Sequence, residues 1–95
     1  MKGESVMLVE KKIRKAVKIL KGFIADEYKG RDVEVCVDWI SINEELGITL
    51  EMRLATADSN ITEGIRIFIA YLTFNQLSIK QLAAYCLAYV HEATE

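Results

Sequence analysis

The chain has no proline, one histidine, one tryptophan and two cysteines, and these scarcities narrow its chemistry. Two cysteines are too few for the disulfide framework that holds small secreted domains together. Cys36 and Cys86 stand in no CxxC pair and near no histidine cluster, so both are expected as free thiols buried like small apolar side chains. Cys86 and His91 lie five positions apart, which is not a same-face helical spacing, so no metal site and no cofactor is expected. His91 falls beside Glu92 near the chain end, where the expectation is a solvated side chain interacting with a helix C-terminus. GxSxG, P-loop and dinucleotide glycine patterns are absent, and Gly30 and Gly47 stand alone. Catalysis is therefore not expected.

Long apolar runs are also missing. Residues 65–74 are the richest stretch, yet they contain Arg66 and fall well short of the ~20 residues that span a bilayer. Val6-Met7-Leu8-Val9 is too short for a secretory signal and is followed at once by Glu10-Lys11-Lys12. A cytoplasmic protein is expected. With 95 residues, 52% of them hydrophobic, the chain reads as one small α+β domain over 1–95. That apolar share is high for so short a chain and favours a homodimer.

Charge, by contrast, is plentiful and unevenly placed. Nine of the twelve Lys and Arg residues lie in the first 31 positions, while ten of the fourteen Asp and Glu residues follow them. A cationic segment beside an anionic body has a directional field that selects partners. Residues 5–28 carry the pattern of an amphipathic helix. At ~100° per residue, Val6, Val9, Ile13, Val17, Leu20 and Ile24 share one stripe, and Lys11, Lys12, Arg14, Lys15, Lys18 and Lys21 occupy the opposite half. Gly22 weakens the helix, and Gly30 is placed to end it.

Residues 32–42 alternate, with Val33, Val35, Val37 and Trp39 on one side and Glu34, Cys36 and Asp38 on the other. Ile48, Leu50, Met52 and Leu54 alternate likewise with Thr49, Glu51 and Arg53, which predicts an antiparallel hairpin with one wet face. Its carboxylates Glu34, Asp38 and Glu51, with Arg53 among them, are expected as a solvated cross-strand charge pattern. Residues 61–74 are composed like a strand but spaced like a helix, with Ile61, Ile65, Phe68, Ile69 and Leu72 on one face. Asn60 and Glu63 form a box-like start that favours the helix. Ser78 and Gln81, with Leu77 and Leu82 around them, mark a final helix whose face is Ile79, Leu82, Ala83, Cys86 and Val90. Ala84 and Ala88 form a second strip of small residues. The expected order is α-β-β-α-α, or α-β-β-β-α if 64–74 is a strand.

The second order resembles that of double-stranded RNA-binding domains, which read shape and phosphate across successive minor grooves. Their final helix opens with a lysine cluster, whereas Ser78-Ile79-Lys80-Gln81-Leu82-Ala83-Ala84 offers only Lys80. A helix-turn-helix reading of the same segment stops before a recognition helix could follow.

The sequence thus points to a small non-enzymatic interaction or regulatory protein, a homodimer that binds an acidic partner through Lys11, Lys12, Arg14, Lys15, Lys18 and Lys21. Sequence-independent nucleic-acid binding through the same helix is the alternative.

Overall fold

The computed structural model describes residues 2–27, 33–43, 45–56 and 62–94. Helix α1 (Lys2–Glu27) leads into strands β1 (Val33–Asn43), β2 (Gly47–Thr56) and β3 (Thr62–Ala70), followed by a short helix α2 (Tyr71–Gln76) and helix α3 (Ile79–Thr94). The strands form one antiparallel sheet in the order β1-β2-β3. Among the described residues, no helix is long and apolar enough to cross a membrane.

One face of this α+β fold is dry. Val9, Ile13, Val17, Leu20 and Ile24 of α1 are buried as the stripe requires, and α3 buries Leu82, Ala83, Cys86 and Val90. Beneath them lie Val35 of β1, Ile48, Leu50, Met52 and Leu54 of β2, and Ile65, Ile67 and Ile69 of β3. Each such aliphatic side chain removed from water contributes about 1.5–3 kcal/mol before the entropy of ordering it is counted. Lys12 of α1 meets Phe74 just ahead of α3, and Glu27 at the end of α1 meets His91 near the end of α3. The two helices therefore run in the same direction across the same sheet face.

The third strand corrects the helical reading of 61–74. Ile65, Ile67 and Ile69 point into the core, while Gly64, Arg66, Phe68 and Ala70 point out. Phe68 and Leu72, which the helical spacing assigned to the core, are 50% and 79% exposed. Tertiary pairing decided the matter. Along β2, the partners Ile48↔Ile69, Leu50↔Ile67 and Met52↔Ile65 satisfy a second row of backbone groups and stack isoleucines over the core. The helix begins only at Tyr71, so the strand alternative holds, with one short extra helix. Asn60, the proposed start of a capping box, and Gly30, the proposed end of α1, lie outside the described residues.

A second correction concerns β1. Val37 pairs with Met52 and Trp39 with Glu51, so Asp38 is an extra residue, a β-bulge that reverses the side-chain alternation. Beyond it Ile40 and Ile42 turn to the core side opposite Leu50 and Ile48, and Trp39 moves to the wet face, 46% exposed. Uninterrupted alternation would bury one indole and expose two isoleucines. The bulge reverses that trade.

Local chemistry closes the remaining elements. The side-chain Oδ1 of Asn43 accepts hydrogen bonds from the backbone N–H of Glu45 (2.9 Å) and of Leu46 (3.1 Å), which forms the hairpin turn. At α3 the capping box is present in full. The N–H of Ser78 donates to Gln81 Oε1 at 2.8 Å, and the N–H of Gln81 donates to Ser78 Oγ at 3.1 Å. Ala84 and Ala88 both face outward.

The two free thiols differ: Cys86 is buried as expected, whereas Cys36 is exposed on the wet sheet face. Burial pushes the Cys86 thiol up to about 11, from an ordinary value near 9. The fold thus holds the neutral thiol, and this contribution is complete below the ordinary value and lost as pH rises towards the folded one. Stability measured in urea is expected to fall on the order of 3 kcal/mol further over that window in the native chain than in a Cys86→Ala variant. A disulfide reagent at neutral pH should label one thiol rapidly, and the second only after unfolding.

Candidate functional site

Helix α1 sets out its cations by simple rotation. With its apolar stripe pinned to the sheet and α3, the polar half spans more than one direction, and the six predicted residues do not share one environment. Lys11 and Lys15 stand on the exposed crest. Lys12 turns toward α2, where its Nζ donates to the Phe74 carbonyl at 2.6 Å and lies 4.4 Å from the centre of the Phe74 ring. Desolvation there lowers its pKa from the ordinary lysine value. Lys12 is thereby engaged inside the fold, which removes it from the free cationic face.

Arg14, Lys18 and Lys21 turn the other way, toward β1. There they line a groove of about 510 Å³ whose other wall is the consecutive run Cys36, Val37, Asp38, Trp39 and Ile40. Successive strand residues point to opposite faces, so a wall made from five in a row is the side of the strand itself. With the order β1-β2-β3, that side of β1 is a sheet edge with no neighbouring strand among the described residues. Ile13 and Val17 contribute apolar surface between the helix and the strand, and Glu10 closes one end. The exposed Met7 and Leu8 continue the helix surface beside Lys11 and Arg14.

The described ion pairs leave these helix cations aside, although one of them holds Asp38 of the groove wall. Arg53 donates from Nε to Asp38 Oδ1 at 2.9 Å, Arg66 binds Glu51 through its guanidinium, and His91 Nε2 lies 2.6 Å from Glu27 Oε2. Lys11, Arg14, Lys15, Lys18 and Lys21 take part in none of these three. The hairpin carboxylates are the solvated charge pattern that the sequence suggested, with Asp38 and Glu51 held by arginines across the strands and Glu34 exposed. Such exposed pairs each contribute a fraction of a kcal/mol. Among the described residues no group of three His, Cys, Asp or Glu side chains converges.

His91 keeps a partly exposed side chain, as its position suggested, and in addition reaches Glu27, tying the end of α3 to the end of α1. The sequence reading also missed Trp39 as a groove residue. The signal was available in the apolar spacing, which shifts phase between Val37 and Ile40 and so places a break at Asp38-Trp39. Set against models of protein families, against curated proteins and against solved structures, the chain matches none.

Proposed function

We propose that this chain is a non-enzymatic interaction protein of the cytoplasm, acting in regulation, that binds an acidic protein partner through the cationic side of α1. The supporting observation is that Lys11, Arg14, Lys15, Lys18 and Lys21 are exposed and outside the described ion pairs. They extend over ~15 Å of helix. A cation held by its own protein's carboxylates must break that pair before it binds; among the described residues these five are not so held, which leaves their attraction available to a partner.

Replacing Lys11, Lys15 and Lys18 together by Glu should leave the circular dichroism unchanged, because all three are exposed. Affinity for poly-glutamate, read by fluorescence anisotropy, is expected to fall at least ten-fold and to be salt-dependent in the native chain. Unchanged affinity would refute the reading.

A homodimer belongs to the same proposal, since a three-stranded sheet has two edges. Pairing β1 with β1 would set two cationic helices side by side. The β3 edge carries no cationic helix beside it in the described groove, so the proposed dimer would pair there. Nucleic-acid binding is the second reading, favoured by Trp39, a groove-lining residue whose half-exposed indole on the wet face offers a base a stacking surface. It ranks second because the first turn of α3 adds only Lys80 to the cationic surface.

A further inference from the structure

We infer that the groove between α1 and β1 receives an extended acidic segment of a partner protein, added to the sheet as a fourth strand beside β1. The inference rests on the proposed acidic-partner role of α1 and names how that partner is held. Its basis is the meeting of two features in one groove: an edge of β1 with no neighbouring strand among the described residues, and the cations Arg14, Lys18 and Lys21 on the helix that faces it.

An unpaired edge presents N–H and C=O groups that only another extended backbone satisfies in sequence. A nucleic acid has no such repeating donor–acceptor backbone, which is why a peptide is favoured here. The spacing also suits a peptide. Along α1, Arg14, Lys18 and Lys21 follow one another at ~6 and ~4.5 Å. Side chains on one face of an added strand recur every ~6.8 Å. Acidic residues at alternate positions on the helix side can meet successive cations, the long Arg and Lys side chains spanning the ~3 Å by which the two rows differ over three residues. The intervening residues emerge on the wet face beside Trp39, where apolar side chains gain contact with the indole. Charge supplies the selectivity: the bulge at Asp38 interrupts the edge and discourages indiscriminate pairing, so a strand without acids gains little there.

The test uses the full chain and a blocked octapeptide of alternating Glu and Val, with binding read by isothermal titration at low salt. Two further peptides carry backbone N-methyl groups on alternate residues, one on the Glu set and the other on the Val set. An added strand turns only one of these sets of N–H groups toward β1. One methylated peptide should therefore lose at least ten-fold in affinity while the other binds like the parent. Reversing Arg14, Lys18 and Lys21 to Glu should abolish binding of the parent.

If that triple variant abolishes binding but neither methylated peptide weakens, strand addition is wrong and the acidic-partner reading survives. If the triple variant binds the parent unchanged, the reading of α1 fails as well. Binding of an oligo-dT of equal charge in preference to the peptide would overturn the inference in favour of nucleic acid, and no binding of the parent at ~1 mM, where a Kd corresponds to only about 4 kcal/mol, would overturn it outright.

Discussion

A Gly47→Ala variant is expected to lose about 3 kcal/mol or more of folding stability, measured by urea denaturation. Gly47 opens β2 with φ +153°, a conformation that side-chain-bearing residues rarely adopt. A Cβ built there overlaps the carbonyl oxygen of Ile69 and comes within 2.9 Å of the Phe68 ring and 3.0 Å of Ala70 Cα. Two of those three atoms are backbone of β3, fixed by the Gly47↔Ala70 and Ile48↔Ile69 pairs, so relief requires the sheet to open at that end. The backbone N–H of Tyr71, which reaches the Leu46 carbonyl at 3.4 Å, would be drawn into the same displacement. Gly22 provides the control. Nothing lies within 4 Å of a Cβ there, and Ala in a helix interior is favoured over Gly by about 1 kcal/mol. Gly22→Ala should therefore stabilise the protein. Loss of stability at Gly22, or none at Gly47, would contradict the described backbone.

Truncating Phe74 to alanine should cost about 3–5 kcal/mol, a large fraction of what a chain of this size possesses. Phe74 is the buried residue of α2, a helix of six residues that cannot stand on local hydrogen bonding alone. Its ring fills the core and lies against the Lys12 ammonium, and its carbonyl accepts from the same group. Loss of the ring therefore removes core packing and also loosens the clamp between α1 and α2. Lys12→Met separates the two contributions, because it keeps a long aliphatic chain while deleting the charge and its hydrogen bond; about 1 kcal/mol is expected for that change. Leu72→Ala, two residues away, should be nearly silent because Leu72 is 79% exposed. A loss at Leu72 as large as that at Phe74 would contradict the described exposure of Leu72.

The cationic helix was legible because its apolar stripe and basic half are separated at the helical period, and every member of the stripe from Val9 onward is buried. What the wheel could not show was that the basic half is divided. Lys12 lies close enough to α2 to be drawn in by a ring and a carbonyl, while Arg14, Lys18 and Lys21 face a strand edge. Both partners are distant in sequence. Likewise the β1–β2 hairpin followed from alternation, yet the bulge at Asp38 depended on which of Trp39 or the Ile40–Ile42 pair the core would take. The groove owes its existence to that packing and to the sheet order.

By itself, the sequence determined the elements whose stability is local: the amphipathic α1, the alternating hairpin and the capped α3. It also determined where positive charge would gather, since that depends only on residue type and helical spacing. Tertiary structure alone decided that residues 62–70 extend as a strand along β2, because their isoleucines satisfy the core and their backbone satisfies a neighbour only there. It likewise decided that Lys12 is engaged inside the fold while Arg14, Lys18 and Lys21 turn to β1, since a charge is spent or spared by what the rest of the chain brings beside it.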